Sequence, residues 1–450
     1  MSDGTPRQIL SLGDGVAMIV GLVIGAGIFR LPSVVAGILG REDIILLVWF
    51  LGGVVSLIGA LCYAELATAY PSAGGEYHFL TRAYGANVGF LFAWARMTVI
   101  QSGSIALFAY VFGDYASQIL PLGPFSSAIY ATVTIAALTA LNLAGLRETK
   151  IFQNIMFVAT MAGLLVLVVA GFVAPGSEGP PPEEAQELTA AAFGSGMLLV
   201  LLTFGGWNEG AYISAEVRDR ERNMVRALLY SIGLITVIYV IVNFAYVRVL
   251  GAGGTAASEA VASDVMRAVF GEPGAVIMTF IVLTVVLDNT NITLFTGARS
   301  NYALGRDFPL FRFLDRWDQV RGVPTYGVLL QSGIALAIVI MAAFARQGVQ
   351  TVIDYLQPVF WVFFLLTGLS LFVLRRREPE TERPFRVPLY PVTPALFCLT
   401  GAFMLYSSVT FTGRGALVGI AVLALGLPVL VLARRSRNRS AAATVPDTTI

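Results

Sequence analysis

Apolar runs of eighteen or more residues recur from one end of this 450-residue chain to the other. A run of that length reads as a membrane-spanning helix, since about twenty helical residues cover a hydrocarbon core about 30 Å thick. Hydrophobic residues make up 56% of the chain and charged ones 13%, against about 25% charged in a soluble domain. A soluble core of this hydropathy could not be covered by the polar surface available. The chain therefore reads as an all-α protein that crosses a lipid bilayer many times.

Twelve helices are expected, over residues 12–38, 44–69, 88–117, 126–144, 151–174, 190–216, 226–250, 265–303, 325–344, 351–374, 393–411 and 415–434. The polar segments between them are short, and none reads as a separate soluble domain. Of the 29 Lys and Arg, 21 fall on the termini and even-numbered loops, 5 on odd-numbered loops, and 3 (Arg30, Arg96 and Arg299) in or at the ends of helices. By the positive-inside rule both termini are cytoplasmic. The acidic stretch at 178–187, "EGPPPEEAQE", then lies outside. The N-terminus is polar and has no cleavage signature, so no removable signal peptide is expected.

Several chemistries are disfavoured at once. A net charge of +1 gives no steering toward nucleic acid. The two cysteines, Cys62 and Cys398, fall in apolar runs and suggest neither a disulfide framework nor a metal site. One histidine, His78, excludes a His-based metal centre. No metal and no cofactor are expected. A membrane-embedded enzyme would need a metal cluster, a nucleophile–base pair or paired carboxylates. A channel would need a filter loop or charge rings. Neither pattern is found.

Two apolar segments are interrupted. The first holds "VGLVIGAGIF", with Gly21, Gly25 and Gly27, and the sixth holds "TFGGWNEG", residues 203–210. Each glycine costs a helix interior about 0.5–1 kcal/mol against Ala. The interruptions open two successive sets of five helices, and an odd repeat length inverts the second copy in the membrane. Interrupted segments at matching positions of two halves point to a transporter binding site. Unwound backbone must line protein or water. Its free N–H groups attract a carboxylate, and its free carbonyls accept from an ammonium group. An α-amino acid carries both. The bland alternative is that the glycines serve close helix packing.

Five motifs in order carry a resemblance over nearly the whole chain. They are "GLVIGAGIF", "GALCYAELATAYPSAGGEYHFLTRAYG" (59–85), "FGGWNEGAYISAEVRDRERNMVRA" (204–227), "ARSNYALGRDFP" (298–309) and "ERPFRVPLYPVTPALF" (382–397). The chain resembles the amino acid–polyamine–organocation superfamily, and within it bacterial relatives of the L-type amino acid transporters. The resemblance implies a LeuT-like fold, with a 5+5 inverted repeat plus two helices and with helices 1 and 6 discontinuous. In this chain that is a cytoplasmic N-terminus at 1–11, repeats at 12–174 and 190–374, two further helices at 393–434 and a cytoplasmic tail at 435–450. It implies alternating access around an amino-acid site in the cell membrane, here expected to be a bacterial inner membrane. The substrate carboxylate would meet the N–H groups near Gly25, Ala26, Gly27 and Ile28. Its ammonium would meet the carbonyls of Val23, Ile24, Leu202 and Gly205. Animal relatives pair with a glycoprotein through a cysteine in the loop after helix 3. That loop has none here, so no disulfide-linked partner is expected.

The departures bear on specificity and coupling. Many L-type relatives begin the helix 6 pattern with a capping aromatic. Here Leu202 stands in that place, which leaves a smaller cap or one supplied by Phe204. Many carry a lysine in helix 5 where this chain has Thr160, which leaves the coupling ion, H+ or Na+, open. Asp288 in helix 8 shares an i, i+4, i+7, i+11 face with Thr284, Asn291 and Phe295, and Asn291 matches a family asparagine. An intramembrane carboxylate is a functional candidate by default. Asp288 either supplies charge to the gap left by the missing lysine or is a structural carboxylate. Glu209 reads a distal cation or carries a proton, or else faces a wet vestibule or caps the second half-helix. Asn208 is a candidate partner for the substrate side chain. Trp207 reads as packing behind the break, Glu65 and Glu76 as structural or gate residues, and Glu216 with Arg218, Arg220 and Arg222 as a solvated cluster. Arg30 reads as snorkelling to the vestibule. The function expected is transport of neutral, mid-sized amino acids by proton-coupled uptake or exchange, with cationic amino acids or polyamines as the alternative.

Overall fold

A computed structural model describes residues 10–25, 27–72, 74–174, 176, 188–214, 217–344, 348–411 and 414–443. Ala26, the acidic stretch at 178–187 and Glu216 lie outside the described residues. The helices are α1 (Leu12–Val23), α2 (Gly27–Leu39), α3 (Glu42–Ala69), α4 (Gly75–Tyr84), α5 (Ala86–Ala95), α6 (Gln101–Ile119), α7 (Ser126–Ala144) and α8 (Leu146–Val173). They continue as α9 (Ala190–Thr203), α10 (Gly210–Ile213), α11 (Arg220–Ala257), α12 (Val261–Asp307), α13 (Thr325–Ala343), α14 (Gly348–Arg377), α15 (Val392–Phe411) and α16 (Arg414–Ala443). Among the described residues 11 helices are long and apolar enough to cross a membrane, and α1 with α2, bent by 48°, completes a twelfth span. Val158, Leu165, Val173, Leu399 and Leu417 are each more than 60% exposed, as a lipid-facing surface requires and a water-facing one would not tolerate.

Local chemistry sets the helix ends. Ser11 and Asp14 form a reciprocal capping box at the start of α1, with N···O distances of 2.9 and 3.2 Å. Two long helices turn sharply at glycines in left-handed backbone, α11 at Gly251 (φ 70°) and α12 at Gly271 (φ 69°). The helical piece after Gly251, the first residues of α12 before 265, and α4 replace segments expected to be loops. Their apolar residues are too few to span, so hydrophobic run length could not reveal them. A π-helical turn at Arg96–Ile100 joins α5 to α6 as the third span.

The packing pairs are those of an inverted repeat. Each span of the first five packs on elements that its counterpart in the second five matches. The fifth span, α8, packs on the eighth, α12, as the tenth, α14, packs on the third. The first span packs on the seventh, α11, as the sixth packs on the second, α3. The second packs on the seventh, the third on the eighth and the fourth, α7, on the ninth, α13. These pairings bring the broken first and sixth spans together at the centre, with the third among the most interior.

The face on which α1 begins, called here the amino-terminal face, is tied by charge. Glu65, 2% exposed, accepts from Arg375 Nε at 2.7 Å and from the Val387 amide at 2.6 Å, with Arg383 Nε at 3.5 Å. Arg82 meets Glu378 at 2.9 Å, and the Tyr77 hydroxyl donates to Asp307 at 2.7 Å. Glu65→Ala leaves two arginines and an amide without their acceptor. It should cost about 3–5 kcal/mol, the scale for breaking a buried ion pair, read as earlier thermal unfolding of the purified protein. Unaltered unfolding would show that Glu65 is not a structural residue.

Candidate functional site

The two breaks interlock. α1 ends at Val23, Ile24 leaves the helix at ψ 95°, and α2 restarts at Gly27. α9 ends at Thr203, Gly206 sits in left-handed backbone at φ 110°, and a 3₁₀ turn over Trp207–Glu209 leads into α10. A Cβ on Gly206 would stand 2.8 Å from the Leu22 carbonyl oxygen, and one on Gly27 2.9 Å from the Thr203 methyl. These glycines are present because each break passes where the other needs room.

Side chains cap the carbonyls that the breaks release. The Tyr239 hydroxyl donates to Val23 O at 2.8 Å and to Thr203 O at 3.2 Å. Asn289 Nδ2 donates to Ile24 O at 3.2 Å. Within α2, where Pro32 has no N–H to offer Ile28 O, Tyr246 donates to that carbonyl at 3.2 Å, and Tyr115 donates to Phe29 O at 2.8 Å. The first turn of α2 holds no acidic side chain. No carboxylate of its own first turn therefore compensates the positive end of its dipole.

A cavity of about 160 Å³ lies against both breaks. Of the residues expected in the substrate site, Val23, Gly25, Gly27, Leu202, Gly205, Asn208 and Glu209 line it. Ile24 and Ile28 are buried and are not among its lining residues. Phe204 does not reach it. Its ring packs between Trp49 and Tyr239, at centroid distances of 6.3 and 4.9 Å, so the alternative cap expected of Phe204 is excluded by the turn of α9. Val23 and Ile24 offer less than expected as well, since each carbonyl already accepts one side-chain hydrogen bond. Trp207 packs behind the break against Tyr63 and Phe364, at 5.0 and 5.6 Å. Arg30 lines the opposite end of the cavity and donates to Glu259 O at 3.2 Å.

The residues that sequence reasoning missed are polar. On α12 the cavity is lined by Asn289, Ile292, Thr293 and Thr296, an i, i+3, i+4, i+7 face. Asp288 and Asn291 stand one step around the helix. Asn291 Oδ1 accepts from Asn142 Nδ2 of α7 at 2.8 Å. Asp288 Oδ1, Asn291 Nδ2 and Thr160 Oγ1 are buried without a hydrogen-bond partner among the described residues. None of the three residues lines the cavity.

Arg96 is the larger omission. Its guanidinium grips Glu209 in a fork at 2.8 and 2.7 Å, donates to Ser300 Oγ at 3.1 Å and lies 4.4 Å from the centre of the Tyr212 ring. The Arg96 side chain is 4% exposed and that of Glu209 16%. Beside this pair, Glu76 accepts from the Tyr63 hydroxyl, from Asn208 Nδ2 at 3.3 Å and from the Tyr212 hydroxyl at 3.5 Å. Burial pushes the Glu76 carboxyl up to about 7, against the lowering effect of the Tyr63 hydrogen bond. Arg96 was visible as a charge inside the third apolar segment. Its partner 113 residues away was not.

A bundle of membrane spans in inverted repeat, with two broken helices meeting at an enclosed polar-and-apolar cavity, defines a secondary-transporter fold. The comparisons with known proteins agree. Residues 10–426 match the amino acid permease family. The chain is 30% identical over 415 residues to the human b(0,+)-type amino acid transporter 1, covering 90% of this chain and 83% of the relative. It is 29% identical over 448 residues to the mouse large neutral amino acids transporter small subunit 2, covering 95% and 81%. It is 29% identical over 441 residues to the mouse Asc-type amino acid transporter 1, also covering 95% and 81%. The chain belongs to the amino acid permease family, in the amino acid–polyamine–organocation superfamily.

The interlock is testable without a ligand. Gly206→Ala adds a left-handed penalty of about 1–2 kcal/mol and drives a methyl onto the Leu22 carbonyl, so the variant should unfold at a clearly lower temperature. Gly233→Ala, where a Cβ meets nothing within 4 Å, should stay within about 1 kcal/mol of the parent. Equal behaviour of the two variants would show that the breaks do not lean on each other.

Proposed function

We propose that this protein moves neutral L-amino acids across its membrane by alternating access, through proton-coupled uptake or exchange. The observation that carries the reading is the meeting, in one cavity, of the uncompensated start of α2 with the carbonyl end of α9. The first suits a carboxylate and the second an ammonium group, a separation of charge that an α-amino acid matches. Gly25, Gly27 and Ile28 would present amides, with Ala26 between them, and Leu202 and Gly205 carbonyls. Leu202 would close on a mid-sized side chain, and Asn208 would meet it at the polar end.

The Arg96–Glu209 pair supports neutral over cationic substrates. Both Glu209 oxygens are engaged by one guanidinium, and a cationic side chain would have to displace it. While Glu76 holds its proton, that leaves Arg96 buried and unpaired, a cost of about 3–5 kcal/mol. The names of the large neutral relatives fit the same reading. Orientation follows the arginine bias, with both termini in the cytoplasm. The chain's two cysteines are buried inside it, which supports action without a disulfide-linked partner.

For coupling, Asp288 is the candidate. A carboxylate oxygen with no partner inside a membrane protein costs several kcal/mol, and a proton or Na+ would relieve it, with Asn291 on the same helix and Thr160 on the neighbouring one.

Two measurements test this. In proteoliposomes made with the purified protein, leucine-sized neutral amino acids should enter saturably and at least tenfold faster than arginine or glutamate. Preference for arginine or a polyamine would overturn the neutral reading, and no amino-acid flux at all would overturn the function. Asp288→Asn should abolish the dependence of uptake on a proton or sodium gradient while leaving exchange measurable. Unchanged coupling removes Asp288 from that role.

A further inference from the structure

The cluster at the amino-terminal end of the cavity contains two carboxylates and one guanidinium. Arg96 spends both terminal nitrogens on Glu209. Glu76, 4% exposed, lies close enough to feel the charges of both, yet its hydrogen bonds come from uncharged groups. The groups facing it are Tyr63 on α3, Asn208, Glu209 and Tyr212 on the sixth span, and Arg96 on the third. α5, which also packs on α4, carries no titratable side chain. α14 carries Arg375, which turns to Glu65, Arg377, which turns to the Ala83 carbonyl, and Arg376, which is not among the charges acting on Glu76. With Glu76 neutral the cluster balances at zero charge. With Glu76 ionised it holds one excess negative charge out of water.

The connection to the break is direct. Asn208 Nδ2 donates to Glu76 Oε1, and Asn208 Oδ1 accepts from the Gly206 amide at 3.3 Å. One side chain thus joins the carboxyl to the left-handed glycine at which the sixth span unwinds.

We propose that Glu76 is a proton-binding residue that controls opening of the cavity toward the amino-terminal face. In the arrangement seen, Arg96 and Glu209 pin the third span to the sixth and Glu76 stays protonated. Opening requires the sixth span to draw Glu209 away from Arg96. The freed guanidinium then needs a buried anion. Glu76 supplies it by releasing its proton to water entering from the opened face, and Arg96 passes from one carboxylate to the other. Closing reverses the exchange and takes one proton back. The proposal rests on the alternating-access reading but not on the substrate.

The test reads access rather than transport. Thr296 lines the cavity on α12, and Thr296→Cys can be labelled with a membrane-impermeant thiol reagent applied to the amino-terminal face. Measured relative to a fully exposed cysteine labelled at the same pH, which cancels the ionisation of the thiol, labelling should quicken about tenfold as pH rises from 6 to 8, with its midpoint near 7. Glu76→Gln, which holds the neutral form, should make this relative rate slow and independent of pH. Tyr63→Phe keeps the ring on Trp207 but removes a hydrogen bond to the ionised form, so it should move the midpoint to higher pH. This variant keeps the proposal testable if Glu76→Gln does not fold. A pH dependence that survives Glu76→Gln, an unmoved midpoint in Tyr63→Phe, or a flat profile in the parent would overturn it. Loss of amino-acid flux with the labelling profile intact would instead overturn the transport reading.

Discussion

Hydrocarbon leaves an unpaired peptide group nothing to bond, and the centre of this protein is organised around that penalty. Two helices are broken there, which releases carbonyls and amides together. The carbonyls are answered by buried side chains from other spans. Tyr239 serves both breaks, bonding Val23 on one side and Thr203 on the other. The start of α2 receives no such carboxylate. The chain has paid for one half of the released polarity internally and left the other to be satisfied from the cavity.

The same constraint explains the charges. A guanidinium 4% exposed inside a membrane span persists only with a close anion and further acceptors. Arg96 has Glu209, Ser300 and the face of Tyr212. The third span that carries it is packed on the eighth and tenth, whereas Glu209 follows the unwound turn of the sixth. The ion pair therefore joins a firmly packed element to one that the break leaves free to hinge, and its separation is costly unless another carboxylate is at hand.

Much of this was legible in the sequence. Run length and the glycine interruptions located the spans and both breaks, because hydrophobicity and helix propensity act locally. Gly251 and Gly271 were not recognised as turns, since a glycine in an apolar helix reads alike whether it packs or kinks. The cavity-lining face of α12, one residue around from Asp288 and Asn291, was not singled out. Asp288 attracted attention by its charge, while the neighbouring Asn289 is the one that bonds Ile24 and lines the cavity. An i, i+4 pattern identifies a face but not the neighbour it meets. Arg96 with Glu209 and Glu76 with Asn208 are tertiary pairs over more than a hundred residues, and spacing carries no signal for such contacts.

The division of labour inside the cavity follows. Backbone at the breaks can read only the ammonium and carboxylate that every α-amino acid has. Discrimination must then come from what stands beyond them, and in this chain that is a leucine where a larger cap could sit and a charge-balanced cluster where a free carboxylate could sit. A neutral cluster has no net field to draw in a charged side chain, and its hydrogen-bonding capacity is largely spent within itself. On the proposed reading it would disfavour a substrate charge yet still respond to a proton, because removing a proton from Glu76 changes the balance of the cluster without requiring any group to enter it.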